Sequence, residues 1–173
     1  LALSTFIVKL ASKIGKKELS MIGCFISAAS FILLFIIHTH NVLVWVGLII
    51  VATIGTSMFN MVIWAMITDV IDESEVQTGV RQDGTIYSVY SFARKLGQAC
   101  SSGLSGVLLS IIGYTSVTAF DPKVVDGIYN ITCLVPAGGM ILLLLALWFL
   151  YPLNKKRVEE NAEKLRIKRN ENA

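Results

Sequence analysis

Arg94 and Lys95 stand side by side within an apolar run, residues 87–112. A cation in such a run must face protein or water, because lipid solvates it poorly. If the helix begins near Thr85 and rises ~1.5 Å per residue, Lys95 lies up to ~15 Å along it. At ~100° per residue, Tyr87, Ser91, Arg94, Lys95, Gln98, Ser102 and Ser105 share a stripe about 100° wide. The stripe predicts a wet cavity lined by Tyr87, Ser91, Lys95 and Gln98. Snorkelling of both cations to the membrane surface is the competing reading, and the polar residues deeper in the run weigh against it. A second stripe, Thr53, Ser57, Asn60, Trp64 and Thr68, marks one face of the preceding apolar run. An indole stacks on a pyranose ring while amides and hydroxyls bond the ring hydroxyls, so Asn60 and Trp64 suit a sugar. Trp64 equally suits an aromatic belt at the membrane surface.

Between the two runs, Asp69, Asp72, Glu73, Glu75, Arg81 and Asp83 crowd into fifteen residues, with Gly79 and Gly84 as breaks. The plain reading is a hydrophilic loop. Asp69 and Asp72, three residues apart, would share a face if the preceding helix continued, and there they would meet bases on neighbouring helices. Ion pairs at a cavity mouth can break and remake, so Asp69, Asp72, Glu75 and Arg81 are read as a gate. Arg94 is grouped with that gate, although the cavity would also suit it. A different chemistry is a divalent metal held by Asp69, Asp72 and Asp83 in an integral-membrane enzyme acting on a phosphate-bearing lipid. No second acidic pair completes that set and no His or Cys nucleophile lies near, so neither a catalytic residue nor a metal site is expected.

These groups need elements to carry them. Hydrophobic residues make up 54% of the 173 and charged ones 16%, and the mean hydropathy of +0.68 lies well beyond soluble domains. Apolar blocks at 19–37, 42–68, 85–112 and 128–151 come near or exceed the ~20 residues that cross ~30 Å of hydrocarbon. Unpaired backbone amides are untenable in lipid, so the blocks are helices. Runs such as ILLLLALWFL lack the alternation of a membrane β-barrel. The expected fold is an all-α membrane protein with four spans. Residues 1–18 read as the end of a further, truncated helix plus a basic loop, 69–84 as a charged loop, 113–127 as an external loop, and 152–173 as a solvated tail, helical or disordered, that could also touch anionic headgroups. Cys24, Cys100 and Cys133 lack ligand spacing and read as packing residues.

Lys9, Lys13, Lys16 and Lys17 precede the first full span, and seven Lys and Arg follow the last, whereas 38–41 has none and 113–127 only Lys123. The positive-inside bias therefore places the basic loop, the charged loop and the C-terminal tail in the cytoplasm of a multi-pass cell-membrane protein. The same sorting accounts for a net charge of +3 without a nucleic-acid partner.

The stretch WAMITDVIDESEVQTGVRQDGTIYSVYSFARKLGQA, residues 64–99, resembles the signature of the glycoside-pentoside-hexuronide:cation symporters. These are the melibiose-carrier-like sugar transporters of the major facilitator superfamily. Asp69, Asp72, Arg81, Tyr87, Ser88, Lys95 and Gly97 match its pattern without a gap, and KLASKIGKKEL, residues 9–19, is similar to the superfamily's basic loop. The resemblance implies helices 9 to 12 of a twelve-helix carrier, with residues 1–8 closing helix 8. It implies alternating access of two halves about a central sugar site, driven by Na⁺ or H⁺ symport or by sugar exchange. It sets Lys95 at the family's cavity lysine, Ser91 at a neighbouring polar position, and Asp69, Asp72, Glu75 and Arg81 in a cytoplasmic charged network. The implied partners are a sugar or glycoside, the bilayer, the missing N-terminal half and a coupling cation sited in that half; no resident cofactor is implied. Asn60 replaces an aromatic residue of the melibiose carriers and Tyr90 a glutamine, so their sugar preference does not carry over. A non-transporting fragment of such a carrier is the alternative, because four helices cannot enclose a two-half cavity.

Overall fold

A computed structural model describes residues 2–171, with side chains from 7 to 170; Leu1, Asn172 and Ala173, which belong to the expected terminal segments, lie outside the described residues. Among the described residues every regular element is a helix: α1 Ala2–Ile14, α2 Lys16–Ile37, α3 Val42–Thr78, α4 Asp83–Ile111, α5 Pro122–Phe149 and α6 Lys155–Glu171. By length and composition α2, α3 and α5 can each cross a membrane. α4, with 29 residues, is long enough, but its polar stripe makes it less apolar than the other three.

Most of the expected loops turn out to be helical. α3 has 37 residues, which at ~1.5 Å each is ~55 Å and outruns ~30 Å of hydrocarbon. Its last turns therefore stand beyond the membrane, and the acids of 69–78 lie on helix instead of in the expected loop. Nothing before Gly79 breaks the helix. Gly79, at φ 78°, caps α3 by donating its N–H to the Glu75 carbonyl at 2.9 Å. Only the turn 79–82 is left before α4. Likewise α1 runs to Ile14, and Gly15 alone, at φ 120°, turns the chain into α2. The expected basic loop is thus almost entirely helical. Pro122 starts α5 six residues earlier than expected and shortens the loop from 113, because its ring suits the first turn of a helix.

α2 is the centre of the bundle, with α3 and α5 packed along it. The α2–α3 contact is between backbones. A Cβ on Gly55 would lie 2.5 Å from the Gly23 carbonyl oxygen and 2.9 Å from the Ser27 nitrogen, so only glycine permits the approach. Ser27 Oγ and Thr56 Oγ1, 3.0 Å apart, bond across the same contact. Nearer the charged end, Ile7, Leu19, Cys24, Val62, Met66 and Leu147 bury one another, drawing on α1, α2, α3 and α5. At the opposite end His38 Nε2 meets Asp126 Oδ1 at 2.7 Å, and Tyr129 Oη donates to the Leu34 carbonyl at 2.8 Å, which ties α5 to the end of α2. α4 has no buried residue and meets the rest of the bundle along α3. Cys24 and Cys133 are buried, as packing residues would be, whereas Cys100 is exposed on α4.

Candidate functional site

The turn at 79–82 folds α4 back beside α3 and sets one face of α4 against Trp64. Tyr87 stacks on the indole with centroids 6.2 Å apart, Tyr90 meets it edge-on at 5.5 Å, and Arg94 Cζ lies 5.8 Å from its centroid. Residues three and four apart share a helix face, which is why these three converge. Between the helices is an open cavity of about 530 Å³ lined by Phe59, Asn60, Ile63, Trp64, Tyr90, Ala93 and Arg94. That volume falls within the ~300–1,000 Å³ of small-molecule sites. The lining carries one guanidinium and no carboxylate, so an anionic group is favoured there over a cationic one. Contact with an indole face leaves the guanidinium's N–H donors in their own plane for a carboxylate or sulfonate.

Asn60 and Trp64 line this cavity, whereas Tyr87, expected in its wall, stacks on the indole and stands outside the lining. Arg94, expected with the gate, lies in the cavity wall instead. It is eleven residues into α4, ~16 Å along the helix from Asp83, and shares the face of Tyr87 and Tyr90. Ser91, Lys95 and Gln98 are exposed on α4 and stand outside the set lining this cavity. Tyr90, noted in the sequence only as a departure from the melibiose carriers, joins the lining; its spacing three after Tyr87 and four before Arg94 was the available signal.

Asp69, Asp72, Glu75 and Arg81, expected to form a gate, gather at the end of the bundle where α1 meets α2 and α3 meets α4, in two separate groups. Lys16 Nζ donates to Asp69 Oδ1 at 2.6 Å, joining α2 to α3. Arg81 Nη1 donates to Asp72 Oδ1 at 2.9 Å and to Glu75 Oε2 at 3.0 Å, while its Nε reaches Asp83 Oδ2 at 2.9 Å. Arg81 thereby clamps the α3–α4 turn. The three carboxylates that a metal would need are divided between Lys16 and Arg81, and among the described residues no three His, Cys, Asp or Glu side chains converge to hold an ion.

The tail, expected to be solvated, is docked. Arg157 pairs with Glu73, and the buried Asn161 donates through Nδ2 to Glu73 Oε2 at 2.5 Å. Arg169 lies 3.6 Å from Glu75 Oε2, the oxygen that Arg81 also engages, and Lys168 Nζ donates to the Gly79 carbonyl at 3.1 Å. The Arg157 hydrogen bonds, assisted by Asn161 and Gln77, push the Glu73 carboxyl down to about 2 against the opposing effect of burial. In the sequence Glu73 stood only as a member of the acidic cluster and Lys16 and Arg157 only as topogenic bases, and Asn161 was not singled out. Their only signal was the presence of bases in separate segments to match the acids of 69–83.

The family model described as MFS/sugar transport protein matches residues 1–155. The chain is 34% identical over 151 residues to the glucuronide carrier protein homolog of Escherichia coli (strain K12), covering 87% of this chain and 33% of that one. It is 38% identical over 152 residues to the uncharacterized symporter YjmB of Bacillus subtilis (strain 168), covering 88% and 33%. It is 33% identical over 156 residues to a putative sulfoquinovose importer of Salmonella typhimurium (strain LT2), again covering 88% and 33%. The chain therefore spans about a third of the length of these curated relatives.

Proposed function

The chain belongs to the MFS/sugar transport protein family, and on that premise we propose that it forms one wall of a secondary active transporter for a sugar or glycoside bearing an anionic group. The observation that carries the substrate class is Arg94 over the Trp64 ring in a cavity without a carboxylate. Trp64 supplies a platform for the sugar ring, Asn60 a donor and acceptor for its hydroxyls, and Arg94 the counter-charge. Relatives named for glucuronide and sulfoquinovose, sugars with a carboxylate and a sulfonate, support the same reading.

In the full-length carrier, residues outside this chain form the opposite wall, and Ser91, Lys95 and Gln98 face it across a shared water-filled path. Transport is by symport with Na⁺ or H⁺ and by alternating access. The carrier sits in the cell membrane with the tail in the cytoplasm. Asp69, Asp72, Glu75 and Arg81 then lie at the cytoplasmic mouth, where their pairs hold the helix ends together in one state and release them in the other.

Counterflow into vesicles containing the full-length carrier tests the reading, with a hexuronate and the matching neutral hexose as substrates. Arg94→Gln is expected to raise KM for the hexuronate at least tenfold and leave the hexose within twofold, with Arg94→Lys between. Equal effects on both sugars, or none on either, overturn the substrate class.

A further inference from the structure

α6 does more than end the chain. It starts beside α1, where Lys155 Nζ donates to the Lys13 carbonyl at 3.0 Å, and it finishes beside the α3–α4 turn, where Lys168 Nζ reaches the Gly79 carbonyl at 3.1 Å. With 17 residues it spans ~25 Å of the charged end. Midway, Asn161 and Leu165 are buried and Glu73 is held by both Arg157 and Asn161. Two facts bear on the cavity. Gly79 is the left-handed cap from which the chain turns toward α4, and Glu75 Oε2 is shared between Arg169 of the tail and Arg81 of the turn. The tail thus grips the hinge that sets α4 against α3. Beyond the hinge, α4 touches the bundle through the aromatic contact at Trp64 and, at its far end, through Ile112 beside Gly127 of α5, and none of its residues is buried. A helix held mainly by its hinge moves when that hinge is loosened.

We propose that α6 is a strap whose docking on Glu73, Glu75 and Gly79 holds α4 close to α3 and so keeps the Trp64–Arg94 cavity narrow. Release of the strap lets α4 swing and opens the cavity. The regulatory role rests on that cavity being the sugar path, whereas the mechanical coupling does not. Anything that unseats α6, such as a protein docking on the tail or a modification that adds negative charge beside Glu73, would act on substrate access through it.

The test reads the cavity without sugar. Ala93 lines the cavity, so Ala93→Cys is introduced into the full-length carrier in which exposed Cys100 is replaced by Ser, and its rate of alkylation by N-ethylmaleimide is measured. Ending the chain after Asn154, or combining Arg157→Ala with Asn161→Ala, is expected to raise that rate at least threefold. Glu73→Gln, which keeps the side chain's volume, is expected to give a smaller rise in the same direction and serves should the truncated carrier fail to fold. An unchanged rate in variants that remain folded overturns the strap. Faster alkylation with no change in uptake would leave the coupling intact and place the sugar path elsewhere. That outcome counts against the cavity's role, which the Arg94 substitutions test separately.

Discussion

Gly55 decides how closely α3 can lie on α2. An alanine methyl there meets the Gly23 carbonyl oxygen at 2.5 Å and the Ser27 nitrogen at 2.9 Å. Both obstacles are backbone, so neither can turn aside and the helices must part. Overpacking of this kind costs about 1–3 kcal/mol, and here parting also stretches the Ser27–Thr56 bond. Gly55→Ala is therefore expected to lower the thermal unfolding midpoint of the detergent-purified protein, whereas Gly47→Ala, which has nothing within 4 Å, leaves it unchanged or higher. Identical midpoints for the two variants would sink this account of the contact. The same scale shows what a sequence can tell about single residues. Asn60 and Trp64 were legible because they fall on one stripe of a long apolar run. Tyr90 sits ~60° round from Tyr87, on the side away from Lys95, so it lay outside the stripe drawn around the cations. Arg94 was readable as a polar-face residue, but its choice between indole and carboxylates depends on where α4 lands beside α3, which no periodicity encodes.

Helix ends were harder to read than helix middles. The run 69–78 is rich in charge and borders a long apolar block, so composition suggested a loop, yet it contains no breaker and continues as α3. The tail was read as solvated because its charges are mixed. What composition cannot show is that Glu73 and Glu75 supply fixed partners for Arg157, Asn161 and Arg169. Glu73 also gives α6 docking a pH dependence. Its carboxyl is depressed from 4.5 to about 2 on docking, so its contribution is complete above the undocked value and declines as pH falls from about 4.5 toward 2. A spin label at Ala162→Cys, in the Cys100→Ser background, is expected to be immobile at pH 6 and to gain mobility as pH falls through that window. With Glu73→Gln the label is expected to be more mobile at pH 6 already and to respond less to acid. A label equally mobile in both proteins at every pH would show that Glu73 does not hold the tail.

Seen whole, the molecule is a bundle of α1, α2, α3 and α5 with α4 standing off one side and α6 across one end. An apolar helix can stand exposed in lipid, but the Ser91–Lys95–Gln98 face of α4 cannot, because charge and amide there need water or protein beside them. On the proposed reading, that face meets the opposite wall of the full-length carrier. The same molecule has two unlike ends. Lys9, Lys13, Lys16, Lys17 and the bases of α6 gather at one, while the other holds the stretch 38–41, which has no Lys or Arg. The positive-inside bias is the ground for the proposed placement of the first end in the cytoplasm. Single cysteines at exposed Ser116 and exposed Lys164, in the Cys100→Ser background, separate the two orientations when intact cells meet a membrane-impermeant maleimide. Ser116→Cys is expected to label at once, and Lys164→Cys only after the membrane is permeabilised. The reverse pattern would turn the carrier over, place the Arg81 clamp and the α6 strap on the outer surface, and require the gate to answer to the external medium instead of the cytoplasm.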